Sequence, residues 1–270
     1  MPIRKTFTEN NQIPISIVYK MTKGRNEELP DHLHDWFEMI YVYQGKGVFF
    51  IDQSFYELEP GDLILIPGNT IHRSDLRKEE RVTSTALFFN PNLVSNTFPS
   101  GQTFLQLFNQ AREKKEYRYR LEVPHRLKLE ELLEELWQEE ESEHPDRAQA
   151  LALYLHLILL YLNRLELKKV SSGRQPEWLK GSLNYIEQNL KKPIELESLA
   201  ANAAVSPTYF SRMFKQAIGL TVSDYLTTKR MIAAKELLKQ SNETIQTIAA
   251  NSGYQSMPHF YRTFKKNTLE

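Results

Sequence analysis

Tyr209-Phe210-Ser211-Arg212-Met213-Phe214-Lys215 returns fifty residues later as His259-Phe260-Tyr261-Arg262-Thr263-Phe264-Lys265. Upstream of each copy lies a second match, Ser198-Leu199-Ala200-Ala201-Asn202 against Thr247-Ile248-Ala249-Ala250-Asn251. Each unit reads as a short Ala-rich helix, a turn, and a second helix that buries Phe at i and i+4 and exposes Arg and Lys between them. A small apolar helix crossing a basic one is the pattern of a helix-turn-helix, whose second helix lies in a major groove of DNA. Two in tandem predict one polypeptide reading neighbouring grooves.

Local signals place the ends of these helices. In the first unit the leading helix covers 195–202, with Ala204 and Val205 in the turn. Ser206 is an N-cap, and Pro207 follows at the first helical position, where a missing N–H costs nothing. The second helix runs 208–218 and ends at Gly219. Phe210, Phe214 and Ile218 form its buried stripe, which leaves Ser206, Thr208, Ser211, Arg212 and Lys215 for DNA. In the second unit Gly253-Tyr254 turns the chain, Ser256 caps, and Phe260 and Phe264 go inward. Ser256, Met257, Tyr261, Arg262 and Lys265 are its outward candidates. An Arg near the start of such a helix can bond guanine in two places or clamp a phosphate, so Arg212 and Arg262 are read as base readers or backbone clamps.

Working outward, the 270-residue chain is long enough for two cores. Its 34 basic and 34 acidic residues cancel, but unevenly. From Glu177 to Glu270 there are 12 Lys and Arg against 8 Asp and Glu, which leaves 22 against 26 for the rest of the chain. A basic reading head on an acidic sensor fits that asymmetry. The chain has no cysteine, which removes disulfides and thiolate metal sites and suits a cytoplasmic protein. The first ten residues lack the apolar core of a signal peptide, and the longest apolar run, 151–162, is too short to span a bilayer.

From about Ile13 to Phe89 the texture is β. Runs at 39–43, 48–51, 63–66 and 83–89 alternate with turns holding Gly45, Gly47, Gly61 and Gly68, the rhythm of an antiparallel sandwich or barrel. After Thr103 it turns helical. Leu127, Leu129, Leu132, Leu133, Leu136 and Trp137 fall on one face of a helix, and a second helix runs 147–167. Residues 169–176, polar with Gly173 and Pro176, read as a linker between an N-terminal domain (1–168) and an all-α domain (177–270). The predicted class is multidomain α+β: an antiparallel β-barrel with following helices, then tandem helix-turn-helix units.

Over 196–266 the chain resembles the DNA-binding domain of AraC/XylS-type transcription regulators. The marks are Leu199-Ala200, Ser206, the two repeated segments, Gly219, Tyr225-Leu226, Arg230, Ala234, Leu237-Leu238, Ile245, Ile248-Ala249 and Gly253-Tyr254. The resemblance implies a long helix at about 222–239 joining two units whose recognition helices face one side of double-stranded DNA. It also implies a small-molecule effector, dimerisation through helices of the N-terminal domain, and contact with RNA polymerase if the protein activates. Family members usually continue past the final Phe-Lys with a Gly, a Pro and an aromatic-Arg pair, whereas Asn267-Thr268-Leu269-Glu270 stands here. Leu269-Glu270 reads as a cloning scar, and the natural chain is expected to extend further.

Along a strand alternate side chains share a face, so His32, His34, Trp36 and Glu38 are predicted to point one way and to meet His72 from a later strand. This spacing, across 30–74, resembles the two cupin motifs, also the usual sensor of AraC-type regulators. In metal-dependent cupins the positions matching His32, His34, Glu38 and His72 hold a divalent metal such as Zn, Mn, Fe or Ni. Two uses stay open: a metal site, or a polar effector pocket of His32, His34, Trp36, Glu38 and His72 with no cofactor required, suited to a sugar or another polar metabolite. The expected function is a ligand-responsive DNA-binding regulator without catalytic residues; the alternative is a metal-dependent cupin isomerase or dioxygenase with a DNA-binding appendage.

Overall fold

The computed structural model describes residues 3–4, 13–24, 32–76, 79–94, 103–170 and 176–266. Contacts divide the chain into two compact units, one of residues 7–29 and 33–173 and one of residues 174–270, with which Ile3, Arg4 and His32 are grouped. Residues 171–175 of the expected linker and 267–270 at the chain end lie outside the described residues.

The strands form two sheets. Strands β1 (Ile3–Arg4), β2 (Ile15–Gly24), β3 (His32–Leu33), β4 (Phe37–Gly45), β5 (Gly47–Ile51), β6 (Ser54–Leu58), β7 (Asp62–Ile66), β8 (His72–Asp75), β9 (Arg81–Phe89), β10 (Arg118–Arg120) and β11 (Lys168–Lys169) follow in chain order. They assemble as a five-stranded sheet, β1-β3-β8-β5-β6, and a six-stranded one, β11-β10-β7-β4-β9-β2. Strand β4 pairs antiparallel with β7 and β9, and β5 with β6 and β8. One apolar core draws residues from both sheets and from helices α1 (Gln106–Lys114), α2 (Val123–Glu140) and α3 (Arg147–Asn163).

The helices explain why β4 reads as an unbroken apolar run from Met39 to Tyr43. A strand covered on both faces needs no alternation. Phe37 sits against Phe108 of α1 with ring centroids 5.1 Å apart, and Tyr41 donates to Glu130 of α2 at 2.6 Å. Odd-numbered residues of β4 therefore face the helices, and Glu38, Ile40 and Val42 face the barrel interior.

Three expectations change. Leu127 leaves the buried stripe of α2 and is 64% exposed, while Leu129, Leu132, Leu133 and Leu136 pack inward. Helix α3 ends at Asn163, four residues before Leu167. Lys169, read as the first linker residue, belongs to β11 and pairs with Tyr119, and Val170 N donates to Arg118 O at 3.0 Å.

The second unit is helical: α4 (Glu177–Gln188), α5 (Leu196–Asn202), α6 (Pro207–Ile218), α7 (Val222–Gln240), α8 (Ile245–Asn251) and α9 (Met257–Lys266). Side-chain caps start three of them: Ser206 accepts from Tyr209 N, Thr221 from Asp224 N, and Thr244 from Thr247 N. Gly219, at φ 83°, ends α6 in the left-handed conformation that glycine adopts without strain. Helix α7 serves two cores. Tyr225 meets Phe214 at 5.7 Å between centroids, whereas Met231 and Ala234 pack with Ile248, Ala249 and Phe260. One continuous rod, about 28 Å long for its 19 residues, thus carries a helical hairpin at each end.

Candidate functional site: a buried histidine cluster and two basic helix faces

Within the barrel, His32, His34, Glu38 and His72 come together, each buried, with one ligand-capable atom apiece lying within 4.8 Å of the others. They arrive from three strands and a bend. His32 is on β3 and His72 on β8, which adjoin in one sheet; Glu38 projects from β4 in the other. His34 sits just past β3, where the chain bends at Asp35 and Trp36. Convergence is as predicted, but the cause differs, because no single strand runs from His32 to Glu38. The bend sends Trp36 into the apolar core and leaves only its carbonyl in the cluster.

Hydrogen bonding orients the rings. His34 Nδ1 lies 2.7 Å from Trp36 O and His72 Nδ1 lies 2.8 Å from Thr70 O. A carbonyl can only accept, so each Nδ1 carries the proton and each Nε2 turns toward the centre. Both Nε2 atoms lie 3.0 Å from one oxygen, Glu38 Oε2. Two neutral imidazoles would aim lone pairs at a carboxylate. The arrangement is favourable only with positive charge at the centre, as ring protons or as a cation. Burial alone would raise the Glu38 carboxyl, but the bonds and charge of His34 and His72 outweigh it and hold the group well below the ordinary carboxylate range. Pinning the far nitrogen of a histidine to a carbonyl is also how metal-ligating histidines are oriented. Three imidazoles and a carboxylate form a donor set that fits a divalent transition metal.

The two chain segments that bring in the histidines are stitched together by groups the motif does not reveal. Asn69 N donates to His34 O at 2.6 Å, and Arg112 of α1 donates from Nη2 to Gly68 O at 2.7 Å. A Cβ on Gly68 would collide with the main-chain carbonyl of Asp35. Aromatic rings flank the cluster: Phe88 is edge-on to His34 at 5.6 Å and Phe49 is parallel to His72 at 6.5 Å.

In the helical unit, Phe210, Phe214 and Ile218 are buried on α6, and Phe260 is buried on α9 with Phe264 packed beside it. Ser206, Thr208, Arg212 and Lys215 are exposed on the opposite face of α6, with Ser211 half-buried between them. On α9 and its lead-in, Ser256, Tyr261, Arg262 and Lys265 are exposed. Met257 is the exception. It is partly buried and packs on the core formed by Met231, Ile248 and Phe260, so it is a packing residue and not an outward one. Tyr209, absent from the outward set that the sequence predicts, is 45% exposed on the same side of α6 as Arg212. Its ring lies 5.2 Å from the Arg212 guanidinium carbon.

Comparison with known proteins accounts for both units. A family model described as an AraC-like ligand binding domain matches residues 15–158, and a helix-turn-helix domain model matches 199–270. The HTH-type transcriptional activator RhaS of Pectobacterium carotovorum subsp. carotovorum is 26% identical over 243 residues, covering 88% of this chain and 84% of that protein. The regulatory protein PocR of Salmonella typhimurium is 33% identical over 103 residues, covering 37% and 34%. Among solved structures, the C-terminal domain of AraT, a response regulator from Geobacillus stearothermophilus, is 34% identical, covering 36% of this chain and 82% of that one at a TM-score of 0.35. RhaS is a transcriptional activator, and the chain itself belongs to the AraC family of transcription regulators, with an AraC-like ligand-binding domain ahead of its helix-turn-helix DNA-binding domain.

Proposed function

We propose that this regulator senses its signal at the His32, His34, Glu38 and His72 cluster and reads two successive major-groove segments with α6 and α9. The observation that carries the sensor assignment is the pair of imidazole Nε2 atoms held 3.0 Å from one buried carboxylate oxygen, a centre that calls for positive charge. A divalent cation bound there would supply that charge and an open position for an oxygen-bearing ligand. The protein's own groups do the rest. The Trp36 and Thr70 carbonyls fix the rings. Asn69 ties the two segments together, and Arg112 anchors one of them at Gly68 to α1. The Phe49 and Phe88 rings beside the cluster make its surroundings apolar, and the ligand proposed is a small polar molecule such as a sugar. Binding alters transcription only if that ligand prefers one arrangement of the regulator over the other.

On the DNA side, Arg212 and Arg262 serve as base readers, with Lys215 and Lys265, farther along each helix, set against phosphate. Ser206, Thr208 and Ser211 on one head and Ser256 and Tyr261 on the other complete the contact surface. The two heads sit on one rod about 28 Å long, close to the roughly 34 Å that separates successive turns of a major groove. Leu153 and Leu157, one turn apart on α3, are 69% and 46% exposed and give a homodimer its apolar contact. Among the described residues no helix is long and apolar enough to cross a membrane, and the proposed site of action is the cytoplasm, with RNA polymerase as a partner in activation. Fluorescence titration of a duplex from the gene's own upstream region tests the reading heads. Arg212→Ala and Arg262→Ala are each expected to cost about 1–3 kcal/mol of specific binding and to relax selectivity at one position. Unchanged selectivity in both would remove the base-reading role.

A further inference from the structure

Helix α6 carries a large exposed aromatic ring, Tyr209, beside Arg212. Tyr209 follows the capped first turn, with its own N–H bonded to Ser206 Oγ at 3.3 Å, so the backbone beneath it is fixed. The next residue, Phe210, is fully buried, which sets Tyr209 outward and leaves it 45% exposed. Arg212 lies three residues on, on the same side of the helix. Its guanidinium carbon is 5.2 Å from the centroid of the Tyr209 ring, inside the range of a cation–π contact.

We infer that Tyr209 is a positioning residue for Arg212 and thereby a determinant of DNA specificity in the first reading head. An arginine on an exposed helix has several rotatable bonds, and freezing them at the moment of binding weakens the complex. A ring three residues before it holds the planar guanidinium in one orientation in the free protein and leaves its N–H fork available for the O6 and N7 acceptors of guanine. The second head is built differently. His259 occupies the position matching Tyr209, and its ring sits against Tyr254, centroids 5.5 Å apart. Preorganisation by this stack therefore belongs to the α6 half of the operator. The inference rests on the assignment of Arg212 as a base reader, and the experiment separates the two.

Full-length protein carrying Tyr209→Phe, Tyr209→Leu, Arg212→Ala and the Tyr209→Leu/Arg212→Ala pair is titrated against operator and scrambled duplexes at several salt concentrations. Circular dichroism confirms that each variant is folded, as expected for an exposed side chain. Tyr209→Phe keeps the ring and retains wild-type affinity. Tyr209→Leu lowers operator affinity about two- to five-fold, the equivalent of an exposed cation–π contact. It leaves scrambled-duplex binding and the salt slope unchanged, because no phosphate contact is lost. In the Arg212→Ala background it does nothing further. If Tyr209→Leu costs the same in both backgrounds, the ring touches DNA itself and the positioning role is overturned. If Arg212→Ala relaxes specificity while Tyr209→Leu has no effect, the stack is irrelevant and this inference alone fails. If Arg212→Ala leaves specificity intact, the reader assignment fails and takes the inference with it. An upfield ring-current shift of the Arg212 Hε resonance without DNA, lost in Tyr209→Leu, reports the stack independently.

Discussion

Exchanging Glu38 for glutamine separates two demands that the barrel centre makes at once. His34 and His72 each direct Nε2 to Glu38 Oε2 at 3.0 Å, with their Nδ1 protons committed to carbonyls. A glutamine amide can donate to an imidazole lone pair, so the metal-free barrel no longer needs a positive charge and is expected to stay folded. What disappears is the anionic ligand. A cation at a hundred times its Kd stabilises the folded form by about 2.7 kcal/mol. For a folding unit of this size that is a rise of about 5–11 °C in midpoint. If losing the carboxylate weakens binding about a hundredfold, the same concentration sits at Kd, and only about 0.4 kcal/mol, roughly 1–2 °C, remains. His34→Ala removes the shift as well.

The assay is thermal unfolding of chelator-stripped protein with added zinc, manganese, iron or nickel salts, followed through Trp36 and Trp137, the tryptophans of the barrel unit, with bound metal counted by mass spectrometry. The chain contains no cysteine, so tightly bound zinc cannot be attributed to thiolates. A wild-type midpoint that none of these ions moves, or an equal shift in Glu38→Gln, would refute the assignment of the cluster as a cation site.

Three other outcomes follow from particular contacts. Gly68→Ala drives a methyl into the Asp35 carbonyl and strains the Asn69–His34 bond, so ligand affinity at the cluster should fall tenfold or so in the same titration; unchanged affinity would show that the stitching is dispensable. Phe214→Ala empties a fully buried position between Phe210 and Tyr225 and should cost about 3–5 kcal/mol, read from the Trp178 fluorescence transition, since Trp178 touches Phe210; a cost under about 1 kcal/mol would contradict the packing described. Leu153→Glu with Leu157→Glu should convert a dimer to a folded monomer in sedimentation equilibrium, and an intact dimer would place the interface elsewhere.

What the sequence made legible was mostly local. Helix caps, the Phe pairs and the glycine at the end of α6 depend on residues within a turn or two, and Ser206, Phe210, Phe214 and Gly219 stand where the pattern predicts. The histidine cluster was legible in composition but not in path. Strand alternation put Trp36 beside His34, whereas a bend at Asp35 turns its side chain into the core and lets Glu38 return from the opposite sheet. Leu127 and Met257 went wrong for one reason. Both lie near a helix start, where whether a residue packs depends on neighbours from other elements and not on helical period. The stitching of Gly68 by Arg112 spans 44 residues and has no local signature at all. The Tyr209–Arg212 pair is different: its spacing of three is visible in the sequence, but the contact between ring and guanidinium depends on side-chain orientation that spacing does not set.

The proposed function requires that α6 and α9 read DNA together from opposite ends of α7. Hydroxyl-radical and methylation-interference footprinting of one protein molecule on its operator measures this directly. Two major-groove contacts are expected on the same face of the duplex, about 10–10.5 base pairs apart. Arg212→Ala should erase one of them and Arg262→Ala the other. A single contacted groove, or two that vanish together in either variant, would contradict it.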